Sequence, residues 1–183
     1  MISVEIKARC SDPARIRGIL KARKARFKGL DHQIDTYFRV PSGRLKLREG
    51  NIENALIYYK RANQKNSKKC DSVLWKPCEH RGEALGDCLS PMRSLKQILK
   101  MACGVLVVVD KKRGIYFIKN AKFHIDRVKK LGDFVEIEVF GPAQAAARLR
   151  KQCGFFQKLL GIQTKHLIAD SYSDQILRKS RRA

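Results

Sequence analysis

Acidic side chains are scarce in this chain. There are 17 against 40 lysines and arginines in 183 residues, a formal net charge of +23. Such an imbalance points to an anionic partner or substrate: nucleic acid, an acidic membrane surface or a polyphosphate ligand. Long apolar runs are absent. The longest is Val105–Val109, far short of the ~20 residues that cross a bilayer. The start, Met1-Ile2-Ser3-Val4-Glu5, has no cationic segment leading into an apolar one, so no secretory signal is read there and a cytoplasmic protein is expected. No two of the six cysteines have Cys-x-x-Cys spacing, which excludes a zinc ribbon or a dithiol redox site, and reduced thiols are expected. Cys78, His80 and Cys88 lie close together but lack a fourth ligand at regular spacing. No internal repeat and no second domain is visible. One domain is expected over 1–183, with a basic tail at 178–183. Hydrophobic residues make up 44% of the chain, enough to exclude wholesale disorder.

Alternation is the dominant pattern in what remains. Ile2, Val4 and Ile6 alternate with Ser3, Glu5 and Lys7, a strand with one polar face. Ser11-Asp12-Pro13 predicts a helix start, and Ile16, Ile19, Leu20 and Phe27 predict a helix to about Phe27, its basic residues covering the solvent side. Strands are expected at Gln33–Val40, Arg44–Arg48 and Leu56–Arg61, joined by turns. A lysine-rich loop follows over Ala62–Leu74, then a short strand at Val73–Lys76 and a helix at Pro91–Met101. A strand from Val105 through Arg113, three more at Ile115–Ile118, Lys122–Val128 and Phe134–Phe140, a helix from Pro142 to Cys153 and a helix over Lys165–Lys179 complete the reading.

The polar faces of these strands carry charge rather than serine or threonine. Arg44, Lys46 and Arg48 share a face, as do Lys111 and Arg113, His124 and Asp126, and Glu136 and Glu138. A one-sided sheet facing water gives this pattern. So does a closed barrel with a polar lumen. In the barrel, cations opposite carboxylates suit a polyphosphate, neutralised on one side by lysine and arginine and on the other by a metal held by glutamate.

Three early segments, His32-Gln33-Ile34-Asp35-Thr36-Tyr37-Phe38, Gly43–Glu49 and Leu56–Arg61, resemble the CYTH family in family order. So do Val109–Arg113, His124–Val128, Leu131–Val139 and Ser171-Tyr172-Ser173-Asp174. Within the family the chain looks most like the class IV adenylate cyclases. The resemblance implies an α+β fold: an eight-stranded antiparallel barrel, the triphosphate tunnel, with helices outside. By similarity Glu5, Glu136 and Glu138 hold Mg²⁺ or Mn²⁺, and Arg44, Lys46, Arg48, Lys60 or Arg61, Lys111 and Arg113 bind phosphate oxygens. Lys60 and Arg61 are alternatives because adjacent strand residues face opposite ways. Asp126 is expected to orient cations or the nucleophile, and Lys7 to act as a base or oxyanion partner. The family's first strand reads Glu-x-Glu-x-Lys; here Ser3 replaces the first acid.

The implied activity is conversion of ATP to cyclic AMP and pyrophosphate, with triphosphate hydrolysis as the alternative and binding without turnover as a second alternative raised by Ser3. ATP or another triphosphate is the expected partner. The related cyclases point to a homodimer. Adhesion to nucleic acid through Arg15–Lys28 and Arg178–Arg182 is expected to be nonspecific, since no aromatic platform interleaves the basic residues. Trp75 is read as a packing residue, His124 as a hydrogen-bonding group inside the barrel, Cys10 and Cys153 as inert thiols, and Tyr172 as the anchor of the last helix.

Overall fold

The alternating first segment forms β1 (Ile2–Arg9), with Val4, Ile6 and Ala8 buried on one face and Ser3, Glu5 and Lys7 on the other. The computed structural model describes residues 2–60, 68–69, 71–77 and 89–181. Beyond β1 come α1 (Pro13–Ala22), β2 (Arg26–Phe38), β3 (Arg44–Gly50) and β4 (Ala55–Lys60). The short segments β5 (Lys68–Lys69) and β6 (Asp71–Trp75) precede α2 (Leu89–Cys103). Then follow β7 (Val105–Ile118), β8 (Ala121–Val128), β9 (Gly132–Gly141), α3 (Ala146–Leu159) and α4 (Tyr172–Ser180).

Every pairing is antiparallel, and the strand order is β5-β1-β9-β8-β7-β2-β3-β4-β6. The two ends of that list are neighbours in the chain. Lys68 and Lys69 pair with β1, Asp71–Trp75 pair with β4, and a single residue separates the two segments. Two positions span at most about 7 Å. The curled sheet therefore brings its edges together, and with β5 and β6 as halves of one strand it has the expected eight.

The main hydrophobic core lies outside this curl. Val4, Ile6, Ala8, Phe123, Ile125, Val135, Ile137 and Val139 face outward from β1, β8 and β9. They pack on Ile16 and Leu20 of α1 and on Leu149, Cys153 and Phe156 of α3. On the opposite wall Phe38 and Leu47 pack on Met92 of α2. At roughly 1.5–3 kcal/mol per buried large aliphatic side chain, this outer layer holds the sheet curled while its inner face stays polar.

Four expectations need correction. α1 stops at Ala22 instead of reaching Phe27. Lys24 takes a left-handed φ of 55°, and the Lys24 and Ala25 amides donate to the Lys21 and Leu20 carbonyls, a Schellman-type end. The left-handed residue is a lysine rather than the usual glycine, so the sequence carries no stop signal. Phe27 then belongs to β2 and is 54% exposed beside Tyr116. The break expected at Gly114 does not exist: β7 runs through it, and a Cβ there would lie 3.2 Å from Tyr116, so the glycine permits close approach instead of a turn. The last helix begins only at Tyr172, because Leu167 bridges Ala8 and the Ile168 amide donates to the Lys7 carbonyl at 2.8 Å. Trp75 is 46% exposed and is not a core residue. Cys78, His80 and Cys88 lie outside the described residues, as do Arg182 and Ala183 of the basic tail. Among the described residues no helix is long and apolar enough to cross a membrane.

Candidate active site

Strand parity sets which side chains enter the curl. Cross-strand partners share a face, and β1 pairs with β9 as Glu5↔Glu138 and Lys7↔Glu136. β9 pairs with β8 as Glu138↔Lys122 and Glu136↔His124, and β8 with β7 as Asp126↔Arg113. β2 carries the face onward with Gln33↔Lys111 and Asp35↔Arg48, Tyr37↔Lys46. All of these oppose the outward apolar residues, so they point into the lumen.

Asp35 is the hub on one wall. It accepts from Lys46 at 2.9 Å, from Arg48 at 2.8 and 3.1 Å, and from Lys111 at 2.6 Å. Burial pushes its pKa up, but Arg48, Lys111 and Lys46 outweigh that and hold it well below the usual carboxylate range. Lys111 pays the opposite consequence: burial first, then Arg48, Arg113 and Lys46, bring its pKa down to about 7 despite Asp35. Arg113, two residues along β7 from Lys111, is the second hub. Its Nε and Nη2 donate to Asp126 at 2.7 and 2.5 Å, and Nη2 also reaches Glu136 at 2.7 Å. Asp126 accepts a third bond from the Tyr172 hydroxyl at 2.8 Å. Glu136 also meets Lys7 at 3.0 Å and His124 Nδ1 at 3.2 Å. Burial raises its pKa, and Lys7 and Arg113 prevail and hold it well below normal. His124 falls to about 4, by burial and then the Arg113 charge, so it is neutral near pH 7.

The first turn of α4 closes one end of the lumen. The Ser171 hydroxyl accepts from the Asp174 amide at 3.1 Å, and the Asp174 carboxylate accepts from the Ser171 amide at 3.2 Å, a capping box that fixes the helix start. That geometry delivers Tyr172 to Asp126 and Asp174 to Arg44, at 2.9 Å, while Lys7 Nζ lies 3.9 Å from the centre of the Tyr172 ring. Tyr37, Tyr59, Val109, Val128 and Phe134 pack around Tyr172 as an apolar floor. Moving away from that floor, the register passes Lys7 with Glu136, then Glu5 with Glu138. At that far end Glu53, from the β3–β4 turn, meets Lys122 at 2.7 Å and Arg48 at 3.3 Å. Asp31, fully buried, holds that turn through the Ile52 and Glu53 amides at 2.9 and 3.1 Å.

Of the sequence-predicted residues, Lys7, Arg44, Lys46, Arg48, Lys111, Arg113, Asp126, Glu5, Glu136 and Glu138 therefore converge on one lumen. Lys60 does not: it is exposed and follows Tyr59, which shares the face of Arg44. Arg61 lies outside the described residues. Glu136 is committed to Lys7, Arg113 and His124, not to the other two glutamates. Sequence reading missed Asp35, Asp31, Glu53 and Lys122. The alternation Asp31, Gln33, Asp35, Tyr37 was available as a signal; Glu53 reaches the lumen from a turn, where periodicity says nothing. Among the described residues the lumen cations meet carboxylates, and the basic residues of α1 and the segment after it are exposed outside the lumen.

Two carboxylates fit a divalent cation. Glu5 and Glu138 are direct cross-strand partners; in the register Glu5 also stands opposite Lys68, and Glu138 opposite Lys122. Burial and then the Glu5 charge push Glu138 up to about 7, although the Lys122 charge and a hydrogen bond from Ser3 act the other way. Oxygen donors from one or two carboxylates, completed by water and phosphate oxygens, suit Mg²⁺. Among the described residues no three acidic, histidine or cysteine groups gather as a ready-made metal site.

The model of the CYTH domain family matches residues 1–172. This chain belongs to the CYTH domain family. Among solved structures, the PH1012 protein of Pyrococcus horikoshii OT3 is 23% identical, with 94% of this chain and 98% of that one covered and a TM-score of 0.76. A candidate adenylate cyclase from Vibrio parahaemolyticus is 17% identical over 95% and 97% of the two chains, with a TM-score of 0.70. A candidate adenylyl cyclase from Hippeastrum with a dominant triphosphatase activity is 13% identical over 98% and 95%, with a TM-score of 0.59. At these identities the likeness to these structures extends to the fold alone. No curated protein sequence matches.

Proposed function

We propose that the lumen binds the triphosphate of ATP and, with a divalent cation at Glu5 and Glu138, converts it to cyclic AMP and pyrophosphate. The observation that carries this reading is the order of charges along the barrel. Arg113, Lys111 and Lys46 stand nearer the α4 floor, Arg48 reaches from Asp35 toward Glu53, and the Glu5–Glu138 pair stands farther out with Lys122 beside it. A triphosphate entering tail first leaves its terminal phosphates among the cations and its α-phosphate beside the carboxylate pair. Arg113, held by Asp126 and Glu136, and Lys111 stabilise the charge that grows on departing pyrophosphate. A cation at Glu5 and Glu138 supplies Lewis-acid polarisation of a phosphoryl oxygen. Lys7, placed between Glu136 and Tyr172, orients Glu136 and offers a positive charge to a phosphate oxygen.

The triphosphatase described for the Hippeastrum relative is the competing reaction, which needs water in line with the terminal phosphorus instead of the ribose 3′ oxygen. Incubation with ATP, and separately with tripolyphosphate, in Mg²⁺ or Mn²⁺ separates the readings by product. Cyclic AMP with pyrophosphate supports the cyclase. ADP with phosphate, or cleaved tripolyphosphate, replaces it with hydrolysis. Tight ATP binding without product in either metal selects a binding module, and Ser3→Glu then tests whether the missing carboxylate is the defect.

A further inference from the structure

We propose that a second anion site, separate from the lumen, lies between α4, the end of β1 and the β8–β9 turn, and takes a phosphate-bearing anion. The cavity there has a volume of about 350 Å³ and is lined by Arg9, Lys130, Leu131, Gln175, Arg178 and Lys179. No carboxylate belongs to that lining. Three separate elements bring the cations together. Arg9 Nη1 donates to the Leu131 carbonyl at 3.1 Å while its guanidinium lies 5.2 Å from the Phe134 ring centre, so the group is held in place with donors to spare. Lys179 Nζ donates to the Lys130 carbonyl at 3.0 Å. These acceptors are neutral, so neither contact cancels a charge; Arg178 does have a carboxylate partner, Asp170. The Nε2 of Gln175, a residue of the same lining, is buried with no hydrogen-bond partner, an unpaired donor beside the cavity.

Cations in the last turn of a helix ordinarily complement its dipole. That explains Arg178 and Lys179. It does not explain Arg9 from a strand, Lys130 from a turn with a left-handed φ of 69°, or the orphaned amide. A guanidinium, ammoniums and an amide donor together suit an anion with several acceptor oxygens, and phosphate esters and pyrophosphate share that chemistry. The Phe134 ring separates the two regions: it meets the Tyr172 ring at 4.9 Å and carries Arg9. Because α4 also places Tyr172 on Asp126 and Asp174 on Arg44, an anion bound at its later turns ties the helix to β1 and the β8–β9 turn and fixes the floor of the lumen.

Hydrogen exchange over residues 172–181 of the full chain, in metal-free buffer with added pyrophosphate, tests this without any activity readout. Protection is expected in the wild type and in Lys46→Gln, which weakens the lumen only. In Lys130→Gln/Lys179→Gln, two surface changes that leave the core intact, the half-saturating concentration should rise about tenfold or more. Parallel titrations with orthophosphate and AMP distinguish a free phosphate from a nucleotide's; a response to any of the three that the double variant loses supports the site. The proposal is overturned if none protects the helix, if the double variant behaves as wild type, or if protection disappears in Lys46→Gln instead.

Discussion

Asp35 shows how a single carboxylate organises a wall of cations. Its charge offsets Lys46, Arg48 and Lys111 at once, and all four groups are largely removed from water. Asp35→Asn is expected to cost about 3–5 kcal/mol, as removal of one partner of a buried ion pair does. Added tripolyphosphate should recover part of that loss, because it supplies the missing negative charge; urea unfolding with and without it measures both, and absence of any recovery would mean the three cations do not face a common ligand. Lys111 sets a pH dependence. Its folded pKa of about 7 lies below its unfolded value, so between pH 7 and about 10 the unfolded chain binds more protons and stability rises with pH. Lys111→Met should flatten that rise. Phosphate affinity of the wild type should fall over the same range, as the ammonium loses its proton.

The elements differ in how clearly their residues announce them. β1, β3, β8 and β9 follow strict alternation and were legible, down to the polar face that carries Glu5, Lys7, Lys46 and Asp126. The end of α1 was not, since Lys24 adopts a left-handed conformation that glycine usually marks. Continuity of β7 through Gly114 was hidden because the space a side chain would need is taken by Tyr116, two residues along the same strand, a contact that composition does not reveal. α4 is the element on which the site depends most: its capping box is visible in Ser171–Asp174, but its entry into the barrel is a tertiary fact. Tyr172→Phe removes one donor from buried Asp126 and keeps the ring packing on Phe134. A loss of about 1–2 kcal/mol is expected in chemical unfolding. A neutral result would show that Arg113 alone satisfies Asp126.

At the scale of the whole molecule the charge is partitioned. Lumen cations meet lumen carboxylates, while Arg15, Arg17, Lys21, Arg23, Lys24, Arg26 and Lys28 are all exposed on and after α1. Retention on a polyanion such as heparin is therefore expected to come from this outer surface, with affinity falling linearly in log–log form as salt increases. Neutralising Arg17, Lys21 and Arg23 together should reduce the slope, whereas Lys46→Gln should leave it unchanged; the reverse pattern would assign the adhesion to the lumen. By itself the sequence determined the strands, their polar and apolar faces and the family, because period-two alternation and short motifs are local. Only the tertiary structure decided that the polar faces turn inward, that Asp35 and Glu53 compensate the lumen cations, that Lys60 turns away, and that Glu136 is held by Lys7 and Arg113. Those outcomes depend on which strands become neighbours when the sheet edges meet, and on the fact that charges packed together out of water must be balanced by whatever the fold brings opposite them.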